Sequence, residues 1–191
     1  MIYSLFYEFC LKITWIFGLF VPKIKKFLNS RNRISSDILH LNNSKNNFII
    51  WVHCSSMGEF EQIKPLLKRI KKSKPITEFV ITFFSESGFS SAKKFSDAKV
   101  ITYLPFDRKK ELNHFINKIK PNALLLVKNE FWPNLIKCVH QADIKIFSIS
   151  STFRKSQVFF NFFSFGMVSV LKKINYFLVV NENDKLLLKT L

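Results

Sequence analysis

Apolar positions after residue 47 alternate between two patterns along the chain. Short runs rich in β-branched and aromatic residues predict strands. These runs are Phe48 to Cys54, Phe79 to Phe84, Val100 to Tyr103, Ala123 to Val127, Lys145 to Ile149 and Tyr176 to Val180. Between them, apolar residues recur at helical spacing, with lysines on the other face, at Ile63, Leu66, Leu67 and Ile70 and at Leu112, Phe115, Ile116 and Ile119. This alternation predicts an α/β fold with a parallel sheet covered on both sides.

The first 21 residues form an apolar, aromatic segment interrupted by Glu8 and Lys12. The uncharged stretch from Ile13 to Val21 has nine residues, whereas a membrane-spanning helix needs ~20. We therefore expect either a span that includes both charges or a shallow helix in the membrane plane, with an ordinary amphipathic packing helix as the alternative. The basic residues that follow suit cytoplasmic-leaflet phosphates, and they are Lys23, Lys25, Lys26, Arg31 and Arg33. Residues 1–30 are predicted to be a membrane-associated helix with a basic flank.

Residues 31–47 are rich in Ser, Asn and charge and show no apolar periodicity. This composition predicts a linker. The folded domain is therefore expected to begin at residue 48.

Composition and charge narrow the choice of partners. The 191 residues suffice for one domain and a short extra element. A net charge of +17 favours an anionic partner such as nucleic acid, a phosphorylated small molecule or an anionic bilayer, although a bias towards A/T-rich codons would also enrich lysine. The basic residues are scattered and no nucleic-acid motif occurs, so no nucleic-acid partner is predicted. The three cysteines have neither disulfide nor zinc spacing, and no dinucleotide or P-loop motif is present.

Chemistry is expected in the loops at the carboxyl ends of the strands, where parallel sheets bind ligands. The first loop contains Ser56, Gly58 and Glu59. Gly58 allows a ligand to approach the backbone, and free amides at the helix start would suit a phosphate or carboxylate. Alternatively, Ser56 and Glu59 form a capping box. A helix N-terminus also lowers the pKa of a carboxylate and weakens it as a base, so burial would have to offset this effect.

Three later loops carry further candidates. Ser85, Ser87 and Gly88 offer hydroxyls and a glycine to a polar ligand. The alternative for Ser85 is a purely structural role as the cap of the next helix. Asp107, in the third loop, fits an N-cap better than a catalytic residue. Lys128 and Glu130 end an apolar strand, where unpaired charge is unfavourable. A structural Lys128 to Glu130 ion pair is the alternative to a functional role.

Four segments of the chain together resemble one family. In order, they read WVHCSSMGEFEQIKPL, ITFFSESG, TYLPFD and NEFWPNL. At these spacings they are similar to the N-terminal domain of the Kdo (3-deoxy-D-manno-octulosonic acid) transferases. The later SSTFRKSQVFF and FLVVNENDKLLLK resemble the continuation of that family, so the resemblance runs from Phe48 to the end. The apolar, basic start is similar to the family's membrane anchor.

The resemblance implies a GT-B fold with two Rossmann-like domains, the first binding a lipid A precursor and the second binding CMP-Kdo. It implies an inverting reaction without cofactor or bound metal, at the cytoplasmic face of the inner membrane. Glu59 would be the general base and Glu130 would help to stabilise the transition state. The substrate-binding candidates are Ser56, Gly58, Ser85, Ser87, Gly88 and Lys128. The chain departs from the family it resembles at Lys128, where many members carry an acidic residue.

The same resemblance suggests a division of the chain. Residues 48–182 would form the acceptor-binding domain and residues 183–191 the start of an interdomain segment, with the C-terminal donor domain absent. A separate C-terminal, donor-binding half is a candidate partner. Two functions follow as hypotheses. The first is transfer of Kdo to a phosphorylated glycolipid, and the second is non-catalytic binding of such a glycolipid at the membrane surface.

Overall fold

A single parallel sheet organises the chain. The structure, a computed structural model, describes residues 2–39, 47–157 and 166–191. Its strands are β1 (Phe48–Cys54), β2 (Thr77–Phe83), β3 (Ala98–Tyr103), β4 (Ala123–Val127), β5 (Lys145–Ser151) and β6 (Tyr176–Val179). They pair in the order β3-β2-β1-β4-β5-β6, all parallel. This is the Rossmann order, which confirms the predicted α/β class and the Rossmann-like sheet.

Helices precede the sheet and connect its strands. Before the sheet lie α1 (Ile2–Phe20), α2 (Pro22–Ser30), a 3₁₀ turn (Arg31–Arg33) and α3 (Ile34–Leu39). The others are α4 (Met57–Ser73), α5 (Glu86–Ala92), α6 (Lys109–Ile119), α7 (Pro133–Gln141), α8 (Met167–Leu171) and α9 (Glu182–Leu188). The periodic apolar faces predicted for two of these helices lie on α4 and α6.

The core lies on both sides of the central strands. All five residues of β4 are buried, as are six of the seven residues of β1. Trp51 of β1 is fully buried, and its ring centroid lies 5.0 Å from that of Phe115 on α6. On α6 the predicted apolar face is buried as a whole, because residues three and four apart share one side of a helix.

The segment predicted as a linker is partly helical. Residues 31–39 form the 3₁₀ turn and α3, in which Arg31, Ile34 and Ile38 are buried. Thr102 of β3 also donates a 2.6 Å hydrogen bond to Asp37. The prediction of irregular structure was wrong here, because a single Ile34 to Ile38 turn is too short to produce a visible period. Residues 40–46 of the predicted linker lie outside the described residues.

Helix α1 packs on the domain through polar side chains. Arg108 donates two hydrogen bonds, of 2.8 and 2.6 Å, to the Glu8 carboxylate. Ser4 donates to the side chain of Asn134 (3.1 Å), and the Tyr7 hydroxyl accepts from the amide of Asp107 (3.1 Å). The charge that interrupts the apolar run therefore belongs to a docking face.

The opposite face of α1 is apolar and exposed. It carries the exposed side chains of Leu5, Phe6, Phe9, Ile13, Ile16, Phe17, Leu19 and Phe20. Within the described part of the chain, no helix has both the length and the hydropathy to cross a membrane.

Helix α2 folds back against α1 to form a hairpin. Leu11 of α1 and Leu28 of α2 are buried with Phe106 in a small second core. A Cβ atom on Gly18 would lie 2.9 Å from the Leu28 side chain, so the glycine permits this close approach. Three lysines of α2 remain exposed, namely Lys23, Lys25 and Lys26. In the sequence they follow directly after α1.

Candidate active site

Two glutamates meet where the strand order reverses. Glu59 lies in the first turn of α4, directly after β1, and Glu130 lies in the loop after β4. These two strands are neighbours in the sheet. Ser55 connects the glutamates, because its amide donates to Glu59 and its hydroxyl interacts with Glu130. In open α/β sheets such a crevice is the usual ligand site.

The Glu59 side chain forms part of a helix cap. Its Oε2 atom accepts a 2.5 Å hydrogen bond from the Ser55 amide, and the Ser56 hydroxyl accepts from the Glu59 amide at 3.5 Å. The capping box considered from the sequence is thus present, but the glutamate binds one residue earlier than expected. The Oε1 atom accepts no hydrogen bond from the described residues, which leaves one oxygen for a ligand.

Burial determines the acidity of Glu59. Removal from water raises its pKa, the Ser55 hydrogen bond lowers it, and the nearby negative charge of Glu130 raises it further. The result is a pKa above the usual glutamate value. Burial therefore offsets the expected lowering at a helix N-terminus, and a carboxylate with a raised pKa is a better general base.

Glu130 is in a different environment. The Trp132 indole donates a 2.9 Å hydrogen bond to its Oε2, and Nε2 of His53 lies 3.5 Å from the same oxygen. Burial acts to raise the pKa of Glu130, but interactions with His53, Trp132 and Ser55 together hold it below the usual value. Two neighbouring carboxyls whose pKa values are moved in opposite directions are typical of acid and base assignments in active sites.

The positive charge of Lys128 acts on Glu59. It lowers the pKa of Glu59, which brings this substrate-binding candidate near the first glutamate. The alternative Lys128 to Glu130 ion pair is not formed within the described residues, where the basic side chain that approaches Glu130 is that of His53. The contact of Glu130 with His53 could not be predicted from the sequence, because the strand that carries His53 lies far away along the chain.

Two residues beside the site have left-handed backbone. Lys128 has φ 60° and Ser150 has φ 57°, a conformation that costs of order 1–3 kcal/mol for residues other than glycine. The Lys128 carbonyl accepts from the hydroxyls of Ser148 (3.2 Å) and Ser151 (3.4 Å). These contacts hold the loop after β4 against β5.

The loop after β2 packs against the loop of Glu59. The Ser85 amide donates to the Ser55 carbonyl (3.0 Å), and the Ser85 hydroxyl accepts from the Gly88 amide (3.2 Å) at the start of α5. Ser85 therefore does cap this helix. The Ser87 hydroxyl lies 3.3 Å from that of Ser85 and is exposed.

The two candidate glycines differ in their surroundings. A Cβ on Gly88 would meet the Phe83 ring at 2.5 Å and the Ser56 backbone at 3.1 Å, so Gly88 serves close packing. A Cβ on Gly58 would meet nothing within 4 Å. Of the two, Gly58 is the one with open space for a ligand, and binding by either stays a prediction.

Asp107 is a cap, as the sequence indicated, but of a distant helix. Its carboxylate accepts from the amides of Asn134 (3.0 Å) and Leu135 (2.8 Å) in the first turn of α7. Burial raises the pKa of Asp107, and these two amides act to lower it. The residue therefore joins the β3–α6 loop to α7.

A basic cavity of about 580 Å³ lies between α2 and α5. Lys25, Lys26, Arg33 and Lys93 line it, together with Glu86, which pairs with Lys26 at 2.6 Å. Four cations against one carboxylate make this cavity suitable for a phosphorylated ligand.

Metal ligands are not grouped in the part of the chain that the structure describes, where no three His, Cys, Asp or Glu side chains could hold one ion. Cys10, Cys54 and Cys138 are free. A metal-free reaction nevertheless stays a prediction.

Sequence reasoning missed His53 and Trp132 as members of the site. His53 stands two residues after Trp51 on a buried strand, and alternate strand residues share one face of a sheet. The spacing therefore indicated that His53 is buried on the same face of the sheet as Trp51 and needs a polar partner there. The Trp132 contact with Glu130 spans only two residues, yet its direction depends on the loop conformation.

Comparison with known proteins places the chain among glycosyltransferases. It is 36% identical over 167 residues to a bifunctional glycosyltransferase/methyltransferase of Fusobacterium nucleatum, a match that covers 85% of this chain and 25% of that protein. It is 38% identical over 88 residues to the 3-deoxy-D-manno-octulosonic acid transferase of Aquifex aeolicus, covering 46% of this chain and 24% of the relative. The Haemophilus influenzae enzyme of the same name is 32% identical over 88 residues, covering 46% and 21%.

The chain thus spans about a quarter of the length of the curated relatives it matches. The family model described as 3-deoxy-D-manno-octulosonic-acid transferase (Kdo transferase) matches residues 28–191. This range includes the sheet and both glutamates. The chain belongs to the Kdo transferase family of glycosyltransferases, whose N-terminal domain it contains.

Proposed function

We propose that this chain is the acceptor-binding part of an enzyme that transfers Kdo from CMP-Kdo to a lipid A precursor, with Glu59 as general base. The observation that carries the proposal is the pair of glutamates with opposite pKa shifts at the carboxyl edge of the sheet. No described residue donates a hydrogen bond to the second carboxylate oxygen of Glu59, and open space surrounds Gly58 beside it.

The reaction divides its tasks between the two carboxyls. The Glu59 carboxylate takes the proton of an acceptor hydroxyl while that oxygen attacks the anomeric carbon of Kdo. The bond from this carbon to the CMP phosphate breaks, and CMP leaves with the electron pair, which inverts the anomeric centre. Glu130, held as an anion, favours the positive charge that develops on the sugar ring in such transition states. No cofactor or metal takes part in this scheme.

Substrate contacts follow from the same edge. Ser56, Gly58 and Lys128 adjoin Glu59, and Ser85 and Ser87 offer hydroxyls on the neighbouring loop. Gly88 would act indirectly, by letting the two loops pack together. We assign the phosphates of the acceptor to the cavity of Lys25, Lys26, Arg33 and Lys93, where lysine and arginine donate charge-assisted hydrogen bonds.

Membrane attachment completes the proposal. The exposed apolar face of α1, followed by exposed lysines on α2, has the character of a helix that lies in the membrane interface. The lysines would contact anionic headgroups on the cytoplasmic face of the inner membrane. A glycolipid acceptor resident in that leaflet would reach the site by lateral diffusion.

The test is a transfer assay from CMP-Kdo to a lipid A precursor in detergent. This chain, its Glu59→Gln variant and its Glu61→Gln variant are each assayed alone and with a purified C-terminal domain from the family. Glu61 is an exposed residue on the same helix, and its ion-pair partner among the described residues is Lys64, so its variant is a matched control. We expect transfer with the added domain, because a base without a bound donor transfers nothing.

Glu59→Gln should lose transfer in that mixture by about 10²-fold or more, whereas Glu61→Gln should match the parent chain. Equal loss in both variants would remove Glu59 from the role of base. Transfer by this chain alone would show that no further domain is needed.

A second function, non-catalytic binding of phosphorylated glycolipid at the membrane, is favoured by the basic cavity next to the apolar hairpin. It predicts acceptor binding without transfer in every mixture. Under this function, Glu59→Gln would leave acceptor affinity unchanged, and Lys25→Gln with Lys93→Gln would weaken it.

A further inference from the structure

His53 is a buried histidine that the proposed reaction does not use. It lies on β1 with a side chain that is fully excluded from solvent. Its two ring nitrogens face different partners, Thr82 on β2 and Glu130 after β4. The partners of the two ring nitrogens determine which of them carries a hydrogen.

The Nδ1 atom must carry a hydrogen. It lies 3.1 Å from the Thr82 carbonyl oxygen, which can only accept, and 3.1 Å from the Thr82 hydroxyl. That hydroxyl donates its own hydrogen to the Val52 carbonyl (3.4 Å) and accepts from the Trp51 indole (2.9 Å). With the hydroxyl hydrogen already committed, Nδ1 is the donor to Thr82.

The Nε2 atom faces a carboxylate. It is buried and has no well-formed hydrogen bond in the described part of the chain, but Oε2 of Glu130 lies 3.5 Å away, at ion-pair distance. A carboxylate has no hydrogen to give, so a lone pair on Nε2 would repel it. With Glu130 ionised, the contact is attractive only when Nε2 also carries a hydrogen.

We infer that His53 is a positioning residue: it carries hydrogen on both ring nitrogens, is anchored by Thr82, and holds Glu130 as an oriented anion. Trp132 binds the same Oε2 atom at 2.9 Å. One oxygen of Glu130 is thereby fixed between an imidazolium and an indole N–H. Glu130 therefore does not compete with Glu59 for the proton of the acceptor hydroxyl. His53 thus acts on the reaction through Glu130, which it contacts directly.

Charged groups around this pair come from three elements. Glu59 on α4 and Lys128 at the end of β4 act electrostatically on each other, and Glu130 and His53 also influence Glu59. Burial and the negative charges of both glutamates raise the pKa of the Cys54 thiol. Among these groups, Glu130 is the one in ion-pair contact with His53.

The test reads hydrogens on the ring directly, in this chain and without any substrate. Long-range ¹H–¹⁵N NMR spectra of histidine-labelled protein at neutral pH distinguish a ring with two N–H groups from either neutral tautomer. The exposed His114 and His140 serve as internal references in the same spectra. We expect two N–H groups on His53 in the parent chain.

Two variants test whether the charge of Glu130 keeps both hydrogens on His53. Glu130→Gln keeps the shape but removes the charge, so His53 should lose one hydrogen, because a buried cation without its counter-ion is unfavourable. Trp132→Phe keeps an aromatic ring opposite Phe84 and removes the indole N–H, so both hydrogens of His53 should remain. A neutral His53 ring in the parent chain, or an unchanged ring in Glu130→Gln, would overturn the inference.

The role in catalysis rests on the proposed function and has a separate readout. Where transfer is obtained, His53→Gln keeps an N–H donor towards Glu130, whereas His53→Leu removes it. We expect kcat to fall more in His53→Leu than in His53→Gln, with the acceptor KM unchanged in both. Equal kcat values would limit His53 to a structural role. Absence of transfer in every protein would contradict the proposed function and leave the NMR result standing.

Discussion

At the scale of single residues, the two glutamates should give protein stability opposite dependences on pH. Glu59 has a raised pKa when folded, so its ionisation weakens the fold as pH rises from the unfolded pKa, about 4.3, through the folded value. Glu130 has a lowered pKa when folded. It therefore stabilises the fold above the unfolded pKa and loses this contribution as pH falls through its folded pKa.

Urea unfolding of the glutamine variants between about pH 3 and 8 measures both signs. Relative to the parent chain, Glu59→Gln should gain stability as pH rises, and Glu130→Gln should lose it. Glu61→Gln, on the exposed side of α4, should run parallel to the parent. Curves of the same sign for the two glutamates would contradict the opposite pKa shifts.

The sequence predicted which glutamates lie at this edge, because both directly follow buried strands. It could not predict their acidities, since these depend on burial and on partners from other loops. His53 was overlooked for the same reason: a strand residue and its partner 77 positions later meet only through the pairing of β1 with β4.

At the scale of elements, Arg31 joins the helical hairpin to the sheet. Its buried guanidinium donates to the Phe84 carbonyl at 2.8 Å and lies 3.8 Å from the centre of the Phe27 ring. Phe84 in turn stacks on Trp132 with centroids 5.2 Å apart. Burial lowers the pKa of Arg31 to about 10, so it remains a cation at neutral pH.

Replacing Arg31 should therefore loosen this junction. We expect Arg31→Met to lower the free energy of unfolding by roughly 2–3 kcal/mol, from a charge-assisted hydrogen bond and cation–π contacts. Arg33→Met, two residues away and exposed, should cost at most about 0.5–1 kcal/mol. Urea unfolding measures both, and equal losses would show that the buried position gives Arg31 no special role.

Strands were predicted more closely than helices at this scale. β1 and β4 have the predicted ends, because a buried strand is a continuous apolar run bounded by polar loop residues. Phe84 was assigned to the second strand, which in fact ends at Phe83. The 3₁₀ turn and α3 were missed because their buried residues contact the sheet through tertiary packing alone.

At the scale of the whole molecule, the hairpin of α1 and α2 should bind anionic vesicles. Two triple variants separate the forces: Phe6, Phe9 and Phe17 changed to Ser, and Lys23, Lys25 and Lys26 changed to Gln. The lysine variant should bind on the order of a hundredfold more weakly at low salt, from about 1 kcal/mol per charge, and differ little at high salt. The phenylalanine variant should bind weakly at both.

Vesicle co-sedimentation measures these affinities, with Lys145→Gln, an exposed lysine on β5, as the control. Binding that is unaffected by the three serines would remove α1 from the membrane contact.

Sequence patterns could suggest this apolar face but not the polar contacts opposite it. The charge of Glu8 was the clearest sign in the sequence that α1 had a second face. The partners of that face, Asp107, Arg108 and Asn134, lie 100 or more positions later.

That separation has a consequence for biosynthesis. Helix α1 leaves the ribosome before Arg108 and Asn134 have been made, by 100 and 130 residues respectively. At ~5–20 residues per second, the delay lasts roughly 5 to 25 s. During that interval the nascent chain presents its apolar helix without the surface on which it later docks. On the proposed membrane attachment, a bilayer near the ribosome would be its first partner, so the chain would reach the membrane before its own domain had folded.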